Sequence, residues 1–369
     1  MLYKRMPIEI ESPEEVGYDS ILYNLAESSV TDLRFEELNL SLNSLTLEYI
    51  AHRGNTILRK KIAEETPALN KDHVLVTNGA AGALFIINTS MLSARDHLIV
   101  VRPNYATNIA VPETIGCAIT YIDLKFEEGW SVNVKSIEDS ILPTTKLISV
   151  TNPHNPTGMV MKEEVLNALI TLAEKRNIFL LVDETYRDAG FKTPYPVLAS
   201  KSKKVISVSS LSKAFGLPGL RIGWLLTQDH ELMERFLAAK EMIYITNSAL
   251  DEAVAYQFLL QKQKFANSIN AKVLENYKLL SHWLEQEENL ECILPQGGVV
   301  SFPRFKDQSS VNLVKFYKIL TEKYKTMVGP GHWFSMPDCY FRLGFGWVNQ
   351  ATFAQALTNI RCAIDESKN

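Results

Sequence analysis

From about residue 74 onward, short apolar runs alternate with turn residues and with stretches of helical spacing. The runs at 74–77, 97–101, 118–124, 146–150, 178–182, 205–209 and 221–227 predict short buried strands. Helical patterns such as 80–93 and 161–176 separate several of them. Strands that alternate with helices predict an α/β fold, with a mostly parallel sheet covered on both faces. Such sheets place ligands at the carboxyl ends of their strands, so the informative residues should lie just after each run.

The C-terminal part has another rhythm. Residues 228–287 predict long helices, with Leu, Ala and Tyr at three- and four-residue intervals. Short strand-like pieces follow at 299–302 and 340–343, with helices near 311–324 and 351–365. This α+β pattern predicts a second, smaller domain. We place the larger domain at 46–245 and the smaller at 1–45 together with 246–369. The segment 1–45 precedes the sheet and could pack on either part.

Composition narrows the function. The chain has 369 residues, 46% of them hydrophobic, enough for a large core. A formal net charge of -4, with basic and acidic residues interspersed, gives no field that would draw nucleic acid. The N-terminus carries early basic residues but no apolar stretch behind them, and acidic residues follow at once. That pattern argues against a signal or transit peptide, and no run approaches the roughly 18 apolar residues of a membrane span. A soluble, cytoplasmic protein is expected. Cys117, Cys292, Cys339 and Cys362 are far apart and fit reduced thiols. Neither they nor the histidines have metal-ligand spacing, so no metal is expected.

Three segments carry the chemistry. In VISVSSLSKAFGLPGLRIGW (205–224) an apolar strand ends in hydroxyl residues, then a lysine, a Gly/Pro-rich stretch and an arginine. Hydroxyls and an arginine around one lysine suit a phosphate beside an amine, and an amine near other cations or in an apolar pocket has a lowered pKa. In LLVDETY (180–186) an apolar strand ends in an acid, with a tyrosine three residues later. In VTNPHNPTG (150–158) a strand runs into a turn rich in Asn and Pro.

Taken in this order, the three segments resemble the motifs of fold-type I pyridoxal-5′-phosphate (PLP) enzymes, the class I/II aminotransferases. The resemblance implies that Lys213 carries the cofactor as a Schiff base and that Ser210 and Arg221 bind its phosphate. It implies that Asp183 sits under the pyridine nitrogen, and that Tyr186 and Asn155 donate to the phenolic oxygen. The stretch VLVTNGAAGA (74–83) reads as strand, glycine turn and helix start, a place where free amides suit a phosphate. By resemblance Ala80 and Ala81 supply those amides. Many relatives carry Ser or Thr at the position of Ala81, so one side-chain hydrogen bond is absent here.

Further positions follow from the same resemblance. Tyr105, in RPNY (102–105), matches the aromatic residue that stacks on the cofactor ring. Tyr49, ahead of Gly54 and of LRKKIA (58–63), matches a tyrosine that reaches the phosphate in the neighbouring subunit. That role requires a homodimer with shared active sites; the plainer alternative is a core tyrosine on a helix. Arg342, in YFRLG (340–344), matches the clamp for the substrate α-carboxylate, against the alternative of a structural ion pair. His332 and Trp333, in VGPGHWF (328–334), belong to a loop that could touch the substrate side chain.

The implied activity is transamination between an L-amino acid and a 2-oxo acid. The same apparatus supports β- or γ-elimination and side-chain cyclisation, as in capreomycidine-synthase-like enzymes. Where many relatives carry a Gly-containing stretch, YNLAESSV (23–30) has Ala26, Glu27 and Ser28. Glu27 could address a cationic substrate group, although a surface or capping role is the simpler expectation. A PLP-binding regulator of transcription would need an N-terminal DNA-binding domain, and the residues before Tyr49 show neither its helices nor its charge.

Overall fold

The computed structural model describes residues 2–189 and 194–368. The seven apolar runs become β1 (Val74–Asn78), β2 (His97–Arg102), β3 (Ala118–Asp123), β4 (Thr145–Thr151), β5 (Phe179–Asp183), β6 (Val205–Ser210) and β7 (Ile222–Thr227). They form one sheet in the order β1-β7-β6-β5-β4-β2-β3. Only β7 runs against its neighbours; the remaining pairings are parallel.

Successive residues of each strand alternate between two cores, although the strands read as continuous apolar runs. Leu98, Val100, Leu181, Ile206 and Val208 face a layer formed by helices Gly79–Met91 and His230–Tyr244. Ile99, Val101, Leu180, Val182 and Val205 face helices Glu163–Arg176 and Ala249–Glu285. A sheet covered on both faces needs apolar side chains on both, which is why no polar alternation marks these strands.

The predicted elements shift at their ends for local reasons. The strand expected from 221 starts at Ile222, because Arg221 takes a left-handed backbone with φ of 52°. The helical stretch 228–287 divides into His230–Tyr244 and Ala249–Glu285. Ile245 turns left-handed at the break, and the Ser248 side chain accepts from the Asp251 amide to cap the second helix. Near the C-terminus, Phe341–Gly344 is the middle strand of a three-stranded sheet, between Val300–Ser301 and Gly329–Pro330. Helices Leu313–Glu322 and Gln350–Glu366 pack beside it.

The N-terminal segment touches both regions. Two single-turn helices, Pro7–Glu11 and Pro13–Val16, each open on a proline, which suits a first helical turn. Tyr23–Asn24 then pairs in parallel with Thr326–Met327. Beyond it, Gly344 N–H donates to Leu25 O at 2.8 Å and Val30 N–H to Lys213 O at 3.0 Å. Residues 25–33 therefore stitch the Lys213 loop to the strand that carries Arg342. Among the described residues, no helix is long and apolar enough to cross a membrane.

Candidate active site

The strand ends converge on one cavity of about 420 Å³, within the usual size of a small-molecule site. Asp183 ends β5, Ser210 ends β6, and Ala80 and Ala81 follow β1. Asn155 and Tyr105 lie in the loops after β4 and β2. Because β7 is reversed, Arg221 at its start reaches the same edge. Lys213, Tyr186 and Arg342 also line the cavity. Of the cofactor and substrate positions singled out in the sequence, Tyr49 and His332 lie away from it.

One end of the cavity fits a phosphate. The helix Gly79–Met91 begins there without a side-chain cap, so its first amides have no side-chain acceptor. The Arg221 guanidinium lies against Gly79: a Cβ on that glycine would come within 2.6 Å of Nη2. Gly79 also has φ of +69°, so it is required for both space and backbone conformation. The Arg221 side chain donates from Nη1 to Pro218 O at 3.0 Å and has no carboxylate partner among the described residues. A cation beside uncapped amides is an anion site in need of an anion.

At the middle lies a buried carboxyl. Asp183 accepts from Thr185 N (3.1 Å) and Oγ1 (2.6 Å), and from Asn108 Nδ2 at 3.4 Å. Burial raises its pKa, with those hydrogen bonds opposing the shift. It has no cationic side-chain partner among the described residues, so a ring nitrogen able to hold a proton would complete it. Burial also lowers the pKa of Lys213, Glu27 opposes that shift and Arg342 reinforces it. A larger neutral fraction makes this amine a better nucleophile.

The other end holds Arg342, only 4% exposed. Its Nη2 donates to Ala26 O at 2.7 Å and its Nη1 to Asn155 Oδ1 at 3.2 Å, while Nε has no partner. The Phe334 ring lies 4.9 Å from the guanidinium carbon. No carboxylate pairs with it among the described residues, which sets aside the structural ion pair and leaves a buried charge able to take one from a ligand. Tyr186 donates its hydroxyl hydrogen to Ser28 O at 2.8 Å, so the N-terminal segment fixes this ring in place. His154 is neutral in its surroundings, since burial takes its pKa down to about 4. It ties its loop to Pro103 O at 2.9 Å and to Thr157 Oγ1 at 2.8 Å, a structural role.

These features fit PLP on the chain's own chemistry: an anion cradle, a buried acid for a ring nitrogen, and an amine between them. A scan against family models matches aminotransferase class I and II over residues 22–360. The chain belongs to that family. It is 26% identical to the capreomycidine synthase of Streptomyces vinaceus over 79% of this chain and 75% of the relative. It is 25% identical to the aspartate aminotransferase of Thermotoga maritima, over 90% and 87% respectively. Among solved structures, a PLP-dependent aminotransferase from Streptococcus suis superposes with a TM-score of 0.91 at 27% identity, covering all of both chains.

Several expectations need correction. Tyr49 is neither helical nor buried; it sits 82% exposed in an irregular stretch. Glu27 is neither a surface residue nor a cap, because it lines the cavity, where Tyr18 donates to its Oε1 at 3.0 Å. Trp333 reaches the cavity and His332 does not. Sequence reasoning missed the segment 8–18 altogether, although Glu9, Glu14 and Tyr18 line the cavity, with Asp32 further along. The available signal was a proline opening each of two acidic turns, Pro7 and Pro13.

Proposed function

We propose that this protein is a PLP-dependent aminotransferase that moves an amino group between an L-amino acid and a 2-oxo acid. The observation that carries this reading is the common cavity of Lys213, Asp183, Arg342, and the Gly79–Met91 helix start with Arg221. When bound, PLP supplies an electron sink for the pair left on the substrate's Cα. All else falls to the chain.

The Ala80 and Ala81 amides, Ser210 and Arg221 would hold the phosphate, and Tyr105 would stack on the ring. Asp183 would keep a proton on the ring nitrogen, while Asn155 Nδ2 would donate to the phenolic oxygen, as would the Tyr186 hydroxyl by turning its one hydrogen away from Ser28 O. Lys213 Nζ would hold the cofactor covalently, then, once freed by substrate, take the proton from Cα as general base. Arg342 would clamp the α-carboxylate and so orient the bond that breaks. In this reading residues 46–245 form the large domain, and 1–45 with 246–369 the small one.

A homodimer belongs to the same reading, with Tyr49 completing the partner's phosphate site. Supporting it, Tyr49 and Leu47 are exposed on the segment whose His52 meets Glu241 at 2.6 Å, next to exposed Met242. A second reading, side-chain cyclisation or elimination, is favoured by Glu27 in the cavity together with the likeness to capreomycidine synthase.

Borohydride reduction followed by peptide mapping tests the attachment. The cofactor should be fixed on Lys213 and nowhere else; fixation on another lysine overturns the assignment. A single-turnover screen of amino acids then separates the outcomes. Conversion of the cofactor to its amine form means transamination, whereas pyruvate or ammonia without that conversion means elimination.

A further inference from the structure

We infer that the amino-acid substrate carries a positive charge at the end of its side chain, an inference that rests on the reading above. Among the described residues the cations of the cavity are Lys213, Arg221 and Arg342, and the lining holds no other Lys, Arg or His. In that reading all three are committed, to covalent attachment, the phosphate and the α-carboxylate respectively.

Asp183 is likewise committed, to the ring nitrogen. Four carboxylates remain: Glu9, Glu14, Glu27 and Asp32. Among the described residues none of them forms an ion pair. Glu27 takes the Tyr18 hydroxyl at 3.0 Å and Asp32 the Trp347 indole N–H at 2.9 Å, both neutral donors. Glu9 is half-buried, and burial with the neighbouring Glu14 charge raises its pKa, while Lys213, Arg221 and Arg5 oppose the shift.

Unpaired like charges around one cavity repel each other, and a cation between them relieves the repulsion. Of the four aromatic residues that line the cavity, Tyr18 and Trp333 have no cofactor role in that reading, and aromatic faces attract cations. Arg342 supplies the complementary charge: nine-tenths buried and lining the same cavity, it has no carboxylate partner among the described residues. A ligand that carries both a carboxylate and a cation matches both kinds of group. A ligand with a second carboxylate would meet four charges of its own sign and no uncommitted base among the described residues.

The cation can be a guanidinium or an ammonium. Both are tested on the PLP-loaded enzyme by titrating the cofactor's absorbance with L-arginine, L-ornithine, L-norvaline and L-glutamate. We expect at least one of the two cationic amino acids to half-saturate about tenfold or more below norvaline, as expected for a charge pair of partial exposure. Glutamate should lie about tenfold or more above norvaline. In Glu27→Gln, and separately in Glu9→Gln, the preference for the cation over norvaline should shrink about three- to fivefold. Added salt should shrink it as well.

Glutamate bound as well as arginine and ornithine overturns the inference, as does a preference that neither substitution alters. If borohydride fixes the cofactor on Lys213 and norvaline titrates normally, such a result leaves the aminotransferase reading standing. Failure of borohydride to label Lys213 removes both.

Discussion

The floor of the cavity is carried by strand ends of a sheet buried on both faces, with Asp183 and Ser210 leaving β5 and β6 at its middle and Gly79 leaving its edge strand β1. Its roof is two single-turn helices, Pro7–Glu11 and Pro13–Val16, attached mainly through side chains. The floor gathers cations and one buried acid; the roof and its flanks bring carboxylates. Floor residues are fixed by sheet hydrogen bonds and close packing, as befits groups that must hold a cofactor in one geometry. The roof buries Ile8, Ser12 and Pro13 and leaves most of its other residues exposed, the composition of a segment that opens at low cost. In the proposed reading, chemistry and substrate choice fall to parts of unequal stability.

The largest effects should come from the floor. Lys213→Ala should reduce turnover by about 10²–10⁴-fold through loss of the base alone, with covalent attachment lost as well. Rapid-quench kinetics and borohydride labelling report the two losses separately. Arg342→Leu should lower kcat/KM by about 10²-fold or more, as removal of one member of a buried charge pair does. It also strands Asn155 Oδ1 and Ala26 O, so chemical denaturation should register a loss of about 1–3 kcal/mol. A variant with full stability and unchanged KM would remove Arg342 from the clamp.

Gly79→Ala probes the junction between helix and phosphate site. The added Cβ would stand 2.6 Å from Arg221 Nη2 on a backbone with φ of +69°. We expect cofactor affinity to fall about tenfold and stability by about 1–2 kcal/mol. Equilibrium dialysis of PLP against the variant measures the first. Unchanged affinity would mean that the cradle at this helix start does not hold the phosphate.

The same division explains what the chain discloses in advance. Asp183, Asn155 and Lys213 each follow an apolar run, so a strand-by-strand reading reaches them directly. Arg221 is legible as chemistry but misplaced by one residue, because its left-handed backbone comes from the fit against Gly79. Glu9 and Glu14 resemble any solvated acids, and a helix of a single turn has no period to detect. Their place over the cavity depends on contacts some three hundred residues away, such as Glu11 Oε2 accepting from the Trp333 indole N–H at 2.7 Å. Tyr49 is a third case: its exposure is an outcome of tertiary packing that no local pattern encodes.

That distant contact supplies the smallest prediction. His332 lies between Glu11 Oε2, 2.8 Å from Nε2, and Asp338 Oδ1, 2.8 Å from Nδ1, so it latches the roof to the loop beneath. Burial alone would lower its pKa; the hydrogen bonds to Asp338 and Glu11 outweigh burial and raise it above the ordinary value. A raised folded-state pKa means that the folded chain holds the proton more tightly than the unfolded one. The latch therefore contributes fully below the unfolded value of about 6.5, and its contribution is lost as pH rises through the folded value. With this side chain 40% exposed, solvent screening should keep the effect below about 1 kcal/mol. The gap in Tm between the wild type and His332→Gln should be widest below about pH 6.5 and narrow as pH rises above it. Glu11→Gln should narrow it over the same range while leaving borohydride labelling of Lys213 intact. A gap that stays constant or widens with pH would show that the roof is held by packing alone, and the contrast in stability between roof and floor would then have to rest on Ile8 and Pro13 instead.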